Sequence, residues 1–339
     1  MNKKTMKAFT FKRYGKSPGL GFEDVDYPSP GADEILVKVY AVGLNPIDNM
    51  IPTGMFKPVL HFKLPATLGS DLAGVVVAVG TRVTRFTPGD EIFASIFDTG
   101  TGALAEFALV PESAAARKPA NLDFVQASSF PMVSLTSWQA LTERARLQPG
   151  HKVFIPAGSG GIGSFAIQLA KHLGASVGTT TSTENVDWVS RLGADEVIDY
   201  KKQEFENELS GYDIVLGTLR GDVIEKCVQI LKPGGKIVSL IGPLDVAFAR
   251  DRGLNIFLRF VFALMSHKIM RLSKTHGLNY SFLFVRPDGD ELGQIGELIE
   301  AEKIRPVIDK VFPFAEAKEA LTYLARGHAK GKVVIKISE

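Results

Sequence analysis

The sequence predicts an α/β protein of two domains, and three observations carry that prediction. The chain has 339 residues, more than one ordinary domain of about 150. Up to about residue 125, apolar residues fall in short runs separated by Gly/Pro/Asp turns, which is a β-rich signature. From about residue 150, short apolar runs alternate with segments of helical spacing, the mark of a parallel sheet with helices on both faces.

Taken in order, residues 35–42, 72–79 and 91–94 read as strands, with turns at 28–31 (Pro-Ser-Pro-Gly) and 87–90 (Thr-Pro-Gly-Asp). Residues 152–155 form the first strand of the second zone. Ile162, Ala166, Leu169, Ala170 and Leu173 then recur at helical spacing. Strands follow at 175–178, 196–198, 213–216 and 236–241, with helices at 186–192 and 223–231 between them. Residues 304–308 and 332–337 are β-like again, so the last strand is expected to rejoin the first domain. The expected division is therefore 1–125 with 304–339, and 126–303.

Hydrophobic residues make up 45% and charged residues 22%, ordinary globular values that exclude bulk disorder. A net charge of +2 gives no electrostatic case for nucleic acid or an anionic membrane. The single cysteine, Cys227, excludes an internal disulfide and a zinc site built on several cysteines. The basic N-terminus, Met1 to Lys7, is not followed by an apolar core and does not read as a secretory signal. Residues 254–265 are the most apolar stretch, but they are too short to span a bilayer and Arg259 interrupts them. They read as a buried or interface helix, with an interfacial membrane helix as the lesser alternative. The expectation is a cytoplasmic protein without a membrane or nucleic-acid partner.

The chemistry begins at Gly158-Ser159-Gly160-Gly161-Ile162-Gly163. This G-x-G-x-x-G run follows a strand and opens a helix, the context that gives the pattern meaning. Glycine allows a sharp turn and close approach of a pyrophosphate, and the helix N-terminus offers free N–H groups and a positive dipole end. At the end of the next strand, NAD-binding versions place a carboxylate for the ribose 2′-OH. Here Thr179, Thr180, Thr181, Ser182 and Thr183 stand instead, with no carboxylate before Glu184. Hydroxyls can donate to a 2′-phosphate. Two such bonds, at roughly 1.5–3 kcal/mol each, favour NADPH over NADH by on the order of 100-fold.

Segments spread over nearly the whole chain then resemble one family. They include residues 41–48 (AVGLNPID), 68–76 (LGSDLAGVV), 83–90 (VTRFTPGD), 135–141 (LTSWQAL), 192–200 (LGADEVIDY), 231–235 (LKPGG) and 327–334 (GHAKGKVV). Together they resemble the zinc-independent quinone oxidoreductase, zeta-crystallin-like, branch of the medium-chain dehydrogenase/reductases. The resemblance implies a GroES-like β-barrel catalytic domain, a Rossmann cofactor domain, an active site in the cleft between them and a homodimer. It also implies that Tyr200 lies beside the 2′-phosphate with Thr180, Thr181 and Ser182, and that Thr136 approaches the nicotinamide ribose. Gly217, Thr218, Leu240, Ile241, Gly242, Phe284 and Val285 would line the nicotinamide half, with Lys332 near the cofactor.

Zinc-binding relatives carry a cysteine where Asn45 stands and Gly-His-Glu where Gly69-Ser70-Asp71 stands. The six histidines form no convincing ligand set, so no metal is expected. Without a Lewis acid, hydride transfer from NADPH suits activated acceptors, namely quinones and the β-carbon of α,β-unsaturated carbonyls. Asn45 and Asp48 are the candidate catalytic residues, with helix capping as the other use of Asp48. The alternatives are an NADP-dependent alcohol or ketone dehydrogenase of the same fold and a non-catalytic NADPH-binding protein with a structural or RNA-binding role.

Overall fold

The computed structural model describes residues 4–338; the N-terminal Met1, Asn2 and Lys3 of the basic segment lie outside them. The chain forms two compact units. One takes the residues up to Leu135 together with those from Arg286 onward, and the other is Thr136–Val285.

The first unit is built mainly on antiparallel strands, with one parallel pair, Ile308–Pro313 and Lys332–Lys336. The strand Glu34–Leu44 lies at its centre, because nearly all its apolar residues are buried. It pairs with Asp71–Val79, with Phe107–Pro111 and with Lys332–Lys336. The sheet continues through Glu91–Ser95 to Ala115–Arg117 on one side and ends at Ile308–Pro313 on the other. A three-stranded sheet, Gly21–Asp26, Thr5–Phe11 and Ala66–Thr67, accompanies it. The final strand rejoins the first unit, as the β-like pattern near the C-terminus implied.

Two pairings set the chemistry of this unit. Val333 stands opposite Leu44, which brings Lys332 beside Asn45 across a sequence separation of nearly the whole chain. Gly43 stands opposite Asp71. Three strand ends therefore meet at one point.

The second unit is a six-stranded parallel sheet in the order Glu196–Asp199, Ser176–Thr181, Lys152–Ile155, Tyr212–Gly217, Leu231–Ser239, Asn279–Phe282. The order reverses after Lys152–Ile155, the first strand of this unit in sequence, and a ligand crevice opens at such a switch point, at the carboxyl ends of the strands. Phe154, Val215 and Ile237 from the sheet pack with Tyr212, Ile224, Cys227 and Ile269 in one core. Burial pushes the Cys227 thiol well above its ordinary range, so it is an unreactive core residue.

The structure departs from the sequence reading in several places: the strand expected over 304–308 runs Ile308–Pro313 instead. The helix expected over 223–231 ends at Cys227 and passes through a tight turn, Val228–Ile230, into the next strand. Residues 256–275 form a 20-residue helix, and Ile256, Phe257, Phe260 and Leu264 of its apolar segment face solvent, which overturns the buried reading and leaves the interface one. Apolar composition alone does not reveal which face a helix turns inward; here Phe262, Ser266, Ile269 and Ser273 are the buried positions.

Candidate active site

The glycine run sits where the sequence placed it, between the strand Lys152–Ile155 and the helix Gly161–His172, with Gly160 as the helix N-cap. Its glycines differ in purpose. A Cβ on Gly158 would lie 2.4 Å from Thr179 Oγ1, and one on Gly163 would lie 2.3 Å from the Ala157 carbonyl oxygen. These two are glycine because the loop packs on itself. A Cβ on Gly160 would meet only Ala157 O, at 3.4 Å, so the space above Gly160 is open. Ala157 holds the left-handed conformation (φ 58°), local strain of the kind that collects at ligand-binding turns.

The other expected cofactor residues gather along the same edge of the sheet. The Gly158 N–H donates to Thr180 O, and the Tyr200 N–H donates to Thr181 O. Thr218 Oγ1 donates to Pro156 O at 2.6 Å, and the Leu240 N–H donates to Gly217 O. Ile241 and Gly242 follow directly, and Phe284 and Val285 leave the adjacent strand Asn279–Phe282. Thr136 is buried on the helix Pro131–Trp138. A dinucleotide fits this edge: an open cradle, a helix N-terminus and a row of strand-end loops converge there.

The Thr/Ser run divides by partner. Thr179 donates to Ile155 O, Thr180 Oγ1 accepts from the Ala157 N–H, and Ser182 Oγ accepts from Asn185. The Thr181 hydroxyl is buried without a hydrogen-bond partner. Tyr200 is 58% exposed. Beside it stand two cations that the sequence reading missed. Lys201 pairs with Glu184 at 3.0 Å and Lys202 with Asp199 at 3.2 Å. Glu184 is held down to about 2 by its own backbone N–H, with Lys201 and Ser182 adding to the effect. The Lys-Lys dipeptide directly after Tyr200 was the available signal.

In the first unit, Asn45, Asp48, Ser70, Asp71 and Lys332 form one buried network. Lys332 Nζ donates to Asn45 Oδ1 at 2.6 Å and lies 3.5 Å from Asp71 Oδ2. Asn45 Nδ2 donates to Asp71 Oδ2 at 2.8 Å, and the Met132 N–H donates to Asp71 Oδ1 at 3.0 Å. Asp48 Oδ2 accepts from the Asn45 N–H at 2.7 Å, and Asp48 Oδ1 accepts from Ser70 Oγ at 2.6 Å. The sequence dictates part of this locally: Asn45-Pro46 opens the helix Pro46–Met50 and Asp48 closes back on it. With both oxygens engaged and 0% exposure, Asp48 has the geometry of a capping group. The Asn45 amide is likewise engaged at both ends.

Burial dominates the electrostatics. It pushes Asp48 up to about 7 against the pull of Ser70 and the Asn45 N–H. It raises Asp71 and lowers Lys332 despite their proximity, because desolvation outweighs the pairing. A carboxyl whose folded pKa lies above its unfolded value contributes stability at low pH and loses it as pH climbs through the folded pKa. The Asp48 contribution is therefore expected to fall from about pH 4 to about pH 7. Urea unfolding of the parent and Asp48→Asn at pH 5 and 8 checks this: the parent should lose stability relative to the variant as pH rises.

The same network decides how a zinc ion would fare. The three positions that carry zinc ligands in relatives hold an amide, a hydroxyl and one carboxylate, and the Lys332 ammonium bonds to two of them. That donor set, with a cation already among it, does not suit Zn²⁺. Among the described residues no group of three or more His, Cys, Asp or Glu side chains is arranged to hold a metal.

Comparison with known proteins agrees with this architecture. Residues 31–120 match the alcohol dehydrogenase GroES-like domain, and residues 192–335 match the zinc-binding dehydrogenase family. The mouse NAD(P)H oxidoreductase RTN4IP1, mitochondrial, is 34% identical over 359 residues, covering 98% of this chain and 89% of that protein. The NADPH-dependent alkenal/one oxidoreductase, chloroplastic, of Arabidopsis thaliana is 36% identical over 343 residues, covering 98% and 80%. The solved quinone oxidoreductase from Coxiella burnetii superposes with a TM-score of 0.85 at 30% identity, covering 99% and 100%. The chain belongs to the medium-chain dehydrogenase/reductases, in their quinone oxidoreductase branch.

Proposed function

We propose that the chain is an NADPH-dependent oxidoreductase that reduces a quinone or an α,β-unsaturated carbonyl without zinc. The observation that carries this reading is the Lys332–Asn45–Asp71 network, which fills with an ammonium the place where a zinc ligand set would stand. A simple alcohol or ketone needs a Lewis acid to polarise its oxygen; a quinone or enone accepts hydride without one. The names of relatives as NAD(P)H, alkenal/one and quinone oxidoreductases support the same chemistry.

Bound at the sheet edge, the cofactor supplies a hydride from its reduced nicotinamide ring. Gly160 and the N-terminus of the helix Gly161–His172 hold the pyrophosphate. Gly217, Thr218, Leu240, Ile241, Gly242, Phe284 and Val285 orient the nicotinamide half, with Thr136. For an enone, that hydride would reduce the β-carbon, with a proton from solvent completing the α-carbon. The direct test is NADPH carrying deuterium at both C4 positions, with an enone, read by mass spectrometry. Deuterium at the β-carbon supports the reading, and unlabelled product contradicts it.

The preference for NADPH rests on Thr181, Tyr200 and Lys201. Glu184 and Asp199 also stand near, but each is neutralised by a lysine. A 2′-phosphate would draw Lys201 away from Glu184 and gain a charge-assisted bond worth roughly 1.5–3 kcal/mol. Lys201→Ala is expected to raise the KM for NADPH by about 10- to 100-fold and leave that for NADH nearly unchanged. Steady-state kinetics with both cofactors measures it.

A further inference from the structure

A cavity of about 260 Å³ opens beside the loops that follow the strands Tyr212–Gly217 and Leu231–Ser239. It lies wholly within the second unit. Residues 219–221 form one wall and residues 241–243 the next. The helix Ile256–Thr275 closes a third side with Met265, Lys268 and Ile269. The volume lies near the lower end of small-ligand pockets.

The walls are held in place by the fold. Both loops turn on glycines in the left-handed region, Gly221 (φ 86°) and Gly242 (φ 98°). Ser239 Oγ donates to Gly242 O at 2.7 Å and Tyr280 Oη donates to Pro243 O at 2.6 Å, which pins the second loop to the sheet. Ile269 and Ile224 share one core. Lys268 Nζ lies 2.6 Å from Glu225 Oε2, which ties the long helix to the short helix Val223–Cys227.

Ile224, Ile241, Met265 and Ile269 give the cavity an apolar lining. Arg220 and Lys268 are both exposed and stand at its mouth. With Glu225 as the one carboxylate, the lining carries a net charge of +1. A ligand with an apolar body and one anionic group matches both the wall and the charge. A carboxylate also matches the planar fork of the Arg220 guanidinium.

We propose that this cavity receives the hydride acceptor, and that the preferred acceptor is an enone or quinone bearing a carboxylate, held by Arg220 with Lys268. Thr218 directly precedes the first wall, and Ile241 and Gly242 belong to the second. The acceptor role therefore rests on the reading of these residues as the nicotinamide side of the cofactor edge.

The probe is 3-benzoylpropionate, the saturated ketone left when the enone 3-benzoylacrylate is reduced, with its methyl ester as the uncharged control. Isothermal titration calorimetry of the full chain, with and without NADP⁺, reads the Kd of each. The acid is expected to bind about tenfold more tightly than the ester. Arg220→Gln should remove most of that difference. Glu225→Gln, which releases Lys268 to the ligand, should tighten the acid several-fold and move the ester little. Met265→Trp, which fills the cavity from the helix, should weaken both. Thermal melts report the folding of each variant. The KM for 3-benzoylacrylate should rise about tenfold in Arg220→Gln.

Absence of acid binding, equal binding of acid and ester, or acid binding unmoved by Arg220→Gln and Glu225→Gln overturns the proposal. So does competition between the acid and NADP⁺, which would give the cavity to the cofactor. An unchanged KM for 3-benzoylacrylate in Arg220→Gln overturns the acceptor role. The calorimetric readout involves no turnover, so its failure is separate from failure of the oxidoreductase reading.

Discussion

Lys332→Met is expected to destabilise the first unit by about 3–5 kcal/mol, the cost of breaking a buried ion pair from one side. Lys332 is the cation that accompanies Asp71 and Asp48 in a region closed to water. Its removal leaves Asn45 Oδ1 without its donor and two carboxyl groups without their counter-charge. The loss should be smaller at pH 5 than at pH 8, because both carboxyls are already raised by burial and take up protons readily when the ammonium is gone. A methionine that merely packed badly would cost the same at both pH values. Lys332→Met/Asp71→Asn should recover part of the stability, as expected of residues in one network. Urea unfolding of the three proteins at the two pH values measures all of this.

Gly160→Val is expected to abolish dinucleotide binding, weakening it by more than about 100-fold, while the protein stays folded. The glycine is extended (φ −80°, ψ 173°), which valine adopts without strain. The added Cβ finds only Ala157 O, at 3.4 Å. The side chain therefore fits the protein and occupies the space a pyrophosphate needs. Gly163→Ala is the contrast, because its Cβ would lie 2.3 Å from Ala157 O and 2.7 Å from Gly158 Cα, and it should lower the melting temperature itself. Fluorescence titration of NADPH, with thermal melts, separates the two. Unchanged affinity in Gly160→Val would move the cofactor away from this loop.

Local patterns made much of the fold legible. The strand at 152–155, the glycine run and the helix after it are contiguous, so spacing alone reveals a strand–turn–helix cradle. The network around Lys332 is the opposite case. The family resemblance singles out Asn45, in the place of a zinc-ligand cysteine, and sets Lys332 near the cofactor, but Lys332 joins Asn45 only through the pairing of Val333 with Leu44, which no local pattern encodes. The hydroxyl run at 179–183 shows a third case. Its composition suggests a phosphate site, yet Thr179 is spent on Ile155 O and Thr180 accepts from the glycine loop. Composition lists donors; only the folded backbone shows which remain. The helix Ile256–Thr275 shows the same limit, since its apolar residues fall on both its faces.

The most direct test is NADPH oxidation by chelator-treated protein with 1,4-benzoquinone, 9,10-phenanthrenequinone, a 2-alkenal, an enone and a simple ketone, with NADH run in parallel. The account predicts turnover of the quinones or of the unsaturated carbonyls with NADPH, undiminished by the chelator, and little with the ketone. Turnover only after zinc is added, or only of the simple ketone, would contradict it.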